Sequence, residues 1–79
     1  MIGDFARSLA GHDKNKLYVI ISEDDEYVYL ADGKIRLIEH PKKKKKKHIQ
    51  IIHRYNSRNP IIEPNDLQIK RAIKLYEED

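Results

Sequence analysis

The stretch from Lys16 to Gly33 decides the fold and reads KLYVIISEDDEYVYLADG. Lys16–Ser22 is rich in Val, Ile and Tyr, which favour strands. Tyr27–Ala31 alternates in position, so its three odd-numbered side chains lie on one face and its two even-numbered ones on the other. The four acidic residues Glu23–Glu26 separate these segments. The stretch therefore predicts two antiparallel strands joined by an acidic turn.

Three more extended segments lie around this pair. Gly3–Ala10 precedes it, Lys34–Ile38 follows the dipeptide Asp32-Gly33, and Ile49–Ile52 comes last. A two-residue Asp-Gly link between extended runs is a strong hairpin signal. Five short strands in about 52 residues predict a mainly β protein with a small five-stranded barrel. Pairing of the last strand with an earlier one would close the barrel.

The C-terminal part predicts a helix. Residues 55–65 contain Asn, Ser and two prolines, which indicates a connector between the barrel of residues 1–54 and a helix over 66–77. Asn65 or Asp66 can cap the helix. We expect its apolar face to pack on the barrel, with a homodimer contact or a ribosomal or polymerase surface as alternatives. The spacing i, i+3, i+4, i+7 defines that face, which consists of Ile69, Ala72, Ile73 and Tyr76.

The composition excludes several classes of protein. With 79 residues and no Cys, the chain is one small domain without disulfides or a Cys-based zinc site. The four histidines, His12, His40, His48 and His53, do not have a zinc-ligand spacing. No nucleophile is accompanied by a His-Asp relay. We therefore expect no enzyme, cofactor, metal or small-molecule substrate.

The chain also lacks the segments that direct a protein to a membrane. Its longest apolar run, Leu17–Ile21, is far shorter than the roughly 18–20 residues needed to cross a bilayer. Met1–Phe5 has no basic segment leading into an apolar one, so we expect no signal peptide. We expect a cytoplasmic protein without a membrane partner.

Positive charge is concentrated in the middle of the chain. Residues 40–58 contain eight basic residues and no acidic one, whereas the flanking parts are net negative. A basic loop over 40–48 would bind phosphates through point charges, with little base specificity. If six lysines contact phosphates, log K falls with log salt with a slope of about −4 to −5. The predicted contacts are Lys42, Lys43, Lys44, Lys45, Lys46 and Lys47, flanked by His40, His48 and Arg54.

A second basic segment lies near the N-terminus. Gly3–Val19 combines a Gly-Asp opening, an apolar strand, the loop GHDKNK at residues 11–16 and another apolar strand. Gly11 and Asn15 both tolerate the left-handed conformation that such a loop needs. Exposed side chains on a short loop suit contact with a folded RNA surface. The candidates in and beside this loop are Arg7, His12, Lys14 and Lys16.

This segment resembles the KOW motif of ribosomal and transcription-elongation proteins, with Asn15 in place of the usual second glycine. Through about residue 53, the chain is similar to bacterial KOW-domain RNA-binding proteins related to a large-subunit ribosomal protein of archaea and eukaryotes. The 27–33 segment and the Pro41-Lys42 lysine block strengthen the similarity. The resemblance implies an SH3-like barrel without enzymatic activity, and a structured RNA partner, ribosomal RNA in particular.

Two other functions remain open. The domain is a protein-interaction module of the transcription or translation machinery if the lysines only solubilise it. It is a nucleoid protein if the lysines bind DNA, since charge alone does not separate the two nucleic acids. The tyrosines allow base stacking, but packing within the domain is the favoured interpretation. They are Tyr18, Tyr27, Tyr29 and Tyr55.

Overall fold

The structure is a computed structural model that describes residues 2–52 and 65–78. Five antiparallel strands form one sheet, and a helix follows them, which confirms the mainly β fold predicted from the sequence. A 3-10 turn, Lys46–His48, links the last two strands. The elements are β1 (Phe5–Ser8), β2 (Leu17–Glu23), β3 (Tyr27–Ala31), β4 (Lys42–Lys45), β5 (Ile49–Ile52) and α1 (Asp66–Glu78).

The strand order explains why the sheet curls. In the order β4-β3-β2-β1-β5, the two outer strands are consecutive in the chain. In a flat sheet they would lie about 19 Å apart, four strand spacings. The three residues of the 3-10 turn span only about 6 Å. The sheet is therefore bent into an SH3-like barrel, and the predicted pairing of the last strand with an earlier one is confirmed by the β1–β5 ladder.

The helix packs on one side of this sheet, as its apolar face predicts. Ile69 and Ile73 are buried in a cluster with side chains of β1, β2 and β3. The Tyr76 ring lies 4.9 Å from the ring of Phe5, centroid to centroid. Asn65 caps the helix, because its Oδ1 accepts a hydrogen bond from the backbone N–H of Gln68 at 2.9 Å. A second cluster fills the other side of the sheet and contains Ala6, Tyr18, Ile20, Val28, Leu30 and Ile49.

The predicted strand over Lys34–Ile38 and its Asp-Gly hairpin are wrong. Oδ1 of the buried Asp32 accepts hydrogen bonds from the backbone N–H groups of residues 34, 35 and 36, at 2.9 to 3.0 Å. These amides are thereby withdrawn from any strand pairing. The segment curls around the Asp32 carboxylate, and the N–H of Ile38 donates to Oδ1 of Asp66 at 2.9 Å. It thus contacts the start of α1 instead of extending the sheet.

The lysine run supplies the fourth strand instead. Lys42–Lys45 pairs with β3, and Lys46–His48 forms the 3-10 turn, so the predicted basic loop over 40–48 is wrong in its conformation. Ladder hydrogen bonds use backbone groups alone, and lysine is a common residue on edge strands because its charge discourages further pairing. The strand consequently fixes the face of the sheet on which each lysine of β4 lies.

Candidate nucleic-acid interface

The strand conformation divides the lysines between two faces. Lys42 lies opposite Leu30 and Lys44 opposite Val28, and both of these apolar residues belong to the second cluster. Lys42 and Lys44 therefore share the inner face of the sheet, because opposite residues of a ladder point the same way. Lys43 and Lys45 lie on the other face.

The two inner lysines share one carboxylate. Lys44 Nζ lies 2.7 Å from Oδ1 of Asp13, and Lys42 Nζ lies 2.9 Å from Oδ2. The same carboxylate accepts hydrogen bonds from the hydroxyls of Ser8 at 2.8 Å and Tyr18 at 2.9 Å. Two of the six lysines predicted to contact phosphate are thus ion-paired within the domain, although the single carboxylate balances only one of their two positive charges.

The surroundings of Asp13 hold it in its charged form. Burial by itself would raise the pKa of its carboxyl, but four hydrogen bonds, those from Lys44 and Lys42 foremost, lower that pKa well below its ordinary value of 3.8. Burial and the hydrogen bond to Asp13 raise the pKa of the Tyr18 hydroxyl. The cluster is therefore a stable ionic contact at neutral pH. The sequence pattern did not predict Asp13 as a partner of the lysines, although it is the only acid in a loop of basic residues.

The opposite face of β3 and β4 combines aromatic and basic side chains. Tyr27 lies opposite Lys45, and Tyr29 lies opposite Lys43. Lys43 Nζ lies 4.2 Å from the centroid of the Tyr27 ring, a cation–π contact with the neighbouring strand. Both rings are half-buried, and neither belongs to the two hydrophobic clusters. We name this surface the Tyr-Lys face.

The lysines that follow extend the positive charge. Lys45 and Lys47 are exposed and Lys46 is half-buried. Within residues 2–52 and 65–78, none of these three side chains forms an ion pair or a hydrogen bond. Lys43 likewise forms no ion pair among the described residues, although its charge interacts with the Asp24 carboxylate. Of the six lysines, these four are the ones whose ammonium groups are not engaged in an ion pair within the described part of the chain.

An acidic turn borders the Tyr-Lys face. Asp24 Oδ1 accepts hydrogen bonds from the N–H of Tyr27 at 2.8 Å and of Glu26 at 3.0 Å, and its Oδ2 accepts the Tyr29 hydroxyl at 3.1 Å. The backbone bond from Tyr27 is the main reason that the pKa of Asp24 is lowered. The N–H of Lys46 donates to the carbonyl of Glu26 at 2.9 Å. Negative charge therefore limits the basic surface on this side.

The β1–β2 loop lies beside the 3-10 turn. The N–H of Leu9 donates to the carbonyl of His48 at 2.9 Å, and Lys44 Nζ donates to the carbonyl of Ala10 at 2.8 Å. Gly11 and Asn15 have positive φ angles of 87° and 74°, which confirms the expected left-handed conformation. The structure therefore brings the two predicted binding segments together.

Within this loop, the basic side chains differ in their contacts. The guanidinium of Arg7 donates to the carbonyl of Asn15 at 2.7 Å and braces the loop. His12 and Lys14 are exposed. Lys16 Nζ instead pairs with Asp32 Oδ2 at 2.8 Å, at the base of the loop.

The remaining candidates lie at the margins. His48 is exposed in the 3-10 turn, and His40 is exposed before β4. Arg54, His53 and Tyr55 lie outside the described residues, as does the connector up to residue 64. Tyr18 is in the core, in agreement with the packing interpretation.

The described residues contain no group of three His, Asp or Glu side chains placed to hold a metal ion. In the same part of the chain, no helix has both the length and the apolar character needed to cross a membrane.

A comparison with protein-family models found no match to this chain, and a comparison with curated proteins found none either.

Proposed function

We propose that this protein is a non-catalytic, cytoplasmic RNA-binding module that associates with the ribosome and contacts ribosomal RNA. Phosphates bind to the four lysines that form no ion pair among the described residues, and His12 and Lys14 of the β1–β2 loop contact the same RNA. One observation carries the proposal: four lysines of β4 and the 3-10 turn form no ion pair among the described residues and lie beside a braced basic loop. The lysines concerned are Lys43, Lys45, Lys46 and Lys47.

Phosphate is the anion that this arrangement suits. Lysine neutralises phosphates as a point charge and releases their counterions, which makes affinity depend strongly on salt. Like charges held close together repel one another, and a polyanion removes that repulsion. The β4 strand already orders the backbone of Lys43 and Lys45, so binding loses less conformational entropy than it would on a disordered tail.

The choice of RNA among polyanions has separate support. Side chains on a braced loop occupy defined positions, which suits an irregular folded RNA surface better than the uniform groove of duplex DNA. The resemblance of the 11–16 loop to a KOW loop favours RNA and the ribosome. Because lysine contacts give little base specificity, shape accounts for most of the discrimination between RNAs.

A salt titration tests the phosphate contacts. The protein is titrated with a fluorescent ribosomal RNA hairpin at several salt concentrations. Four contacts predict a slope of log K against log salt of about −3 to −3.6. Substitution of all four lysines by Gln should remove most of that slope. The control carries the same charge change on a distant surface, at Lys34, Lys70, Arg71 and Lys74. Unchanged binding by the first variant, or an equal loss in both, contradicts the proposal.

Ribosome association is tested separately. Ribosomes are sedimented with the protein at low and high salt, before and after nuclease treatment. Release of the protein by salt and by nuclease is the expected result, because the contacts are ionic and made to RNA. Retention after both treatments would instead indicate a protein-interaction module.

A further inference from the structure

We propose that the Tyr-Lys face is a stacking platform for unpaired nucleotides, so that the RNA bound there is a single-stranded segment. The inference rests on the proposed function and names the kind of RNA that the lysines hold. The face consists of Tyr27 and Tyr29 on β3 and of Lys43 and Lys45 on β4.

The four side chains alternate on this surface. Each tyrosine has a lysine directly opposite, with Cβ atoms about 5 Å apart in such pairs. Residues two apart on one strand are separated by about 6.5 to 7 Å. The surface is therefore a two-by-two array of aromatic rings and ammonium groups. Aromatic rings beside positive charge are the combination with which proteins bind single strands.

The rings are placed before any ligand arrives. Lys43 Nζ rests over the Tyr27 ring at 4.2 Å, and the Tyr29 hydroxyl donates to Asp24. Both tyrosines lie on the side of the sheet that α1 covers near Ala31, but neither belongs to the cluster that the helix buries. Rings that are positioned without being packed into a hydrophobic cluster lose little side-chain entropy when a base stacks on them.

This array distinguishes unpaired from paired RNA. In a duplex the faces of the bases are stacked on one another, and the surface offers chiefly phosphates and 2′-hydroxyls. An unpaired base presents its ring face, which can stack on a tyrosine whatever its identity. A duplex would thus use only the lysines, whereas a single strand would use the lysines and the rings.

The acidic turn adds an orientation. Asp24 lies in the turn that leads into β3, on the tyrosine side of the face, and repels phosphate there. Lys45–Lys47 continue from β4, on the other side of the face, without an ion pair among the described residues. The phosphates of a bound strand therefore run along the lysine side, while its bases turn towards the rings.

The first test compares two RNA probes by fluorescence anisotropy. They are an unstructured 12-nucleotide oligouridine and a 12-base-pair RNA duplex. The intact protein should bind the single strand more tightly, although the duplex carries more charge. Tyr27→Leu with Tyr29→Leu should weaken single-strand binding about tenfold or more and leave duplex binding unchanged. The matched double variant Tyr→Phe keeps both rings and should retain most of the affinity.

A measurement on the unsubstituted protein guards against misfolding of the Leu variant. Ring protons of Tyr27 and Tyr29 should shift upfield in NMR spectra when oligouridine stacks on them. Preference for the duplex, equal losses for both probes in the Leu variant, or unmoved ring protons overturns the stacking platform alone. Failure to bind either probe at low salt overturns the proposed function as well.

Discussion

Lys44 Nζ lies 2.7 Å from Oδ1 of Asp13 and connects β4 with the β1–β2 loop, 31 residues earlier in the chain. The Lys44 side chain is only 10% exposed, so this ammonium group is largely removed from water. Its charge is compensated by Asp13 and by the carbonyl of Ala10. The contact therefore serves folding, and it also decides which lysines remain for a ligand.

Replacement of Asp13 by Asn should destabilise the domain strongly. The substitution leaves Lys44 charged, buried and without its carboxylate, and such a loss typically costs about 3–5 kcal/mol. The free energy of unfolding is measured by urea denaturation. Asp25→Asn removes the same charge from an exposed position of the acidic turn and should change stability by less than about 0.5 kcal/mol. Equal effects of the two substitutions would show that Asp13 contributes no more than a surface charge.

The Asp13 cluster should also make the stability of the domain depend on pH in acid. The pKa of Asp13 is lowered in the folded protein, so its stabilising effect is complete above the ordinary value of 3.8 and is lost as pH falls towards the folded value. Thermal unfolding is followed from pH 5 to pH 2. The Asp13→Asn variant has no carboxyl at this position to titrate, so its stability should fall less over this range than that of the original protein. Identical pH profiles of the two proteins would contradict the lowered pKa of Asp13.

Gly33 should tolerate no side chain, because α1 approaches its backbone closely. It has a φ of +76°, and a Cβ there would meet the carbonyl oxygen of Asp66 and lie 2.9 Å from the backbone N of Lys70. Gly33→Ala should cost more than the roughly 1–2 kcal/mol of a left-handed alanine. Gly3→Ala is the control, since Gly3 has a φ of +91° and open space around it. If urea denaturation shows equal losses, the close approach has no energetic importance.

Docking of α1 should contribute much of the stability. Ile69 is fully buried between helix and sheet, whereas Leu75 on the same helix is 61% exposed. Ile69→Ala should cost about 2–5 kcal/mol because it leaves a cavity in the cluster. Leu75→Ala changes the helix propensity by the same amount as Ile69→Ala, within a few tenths of a kcal/mol. It should be nearly neutral for stability. Similar losses, measured by thermal unfolding, would mean that the apolar face does not decide the packing.

Removal of the charge at Asp24 should strengthen RNA binding. An Asn at this position keeps an oxygen that accepts from the N–H groups of Tyr27 and Glu26, so the turn is retained. With less repulsion of phosphate, affinity should rise about two- to fivefold. This affinity is measured by titration with the ribosomal RNA hairpin at low salt. Glu77→Gln, on the exposed side of α1, is the control and should have little effect. Weaker binding by the Asp24 variant would place the RNA elsewhere.

Local patterns predicted several elements correctly. The alternation in Tyr27–Ala31, the left-handed Asn15, a helix cap at Asn65 or Asp66 and the apolar face of the helix each depend on neighbours within a few residues. Such neighbours are visible in the sequence itself, and tertiary contacts then supported the same conformations. The basic character of the candidate site was equally visible, since charge is a property of composition.

Contacts between distant residues decided the rest. Six identical lysines have no periodicity, so nothing local indicates a strand or distinguishes inner from outer side chains. Pairing with β3 makes Lys42–Lys45 a strand, and the Asp13 carboxylate binds its inner side chains. Residues 34–38 have the composition of a strand, but the buried Asp32 carboxylate binds their amides more effectively than any sheet edge within reach. The sequence by itself determined the barrel, the helix and the excess of positive charge. The tertiary structure alone determined which of those charges remain available, because burial and ion pairing depend on what the folded chain brings together.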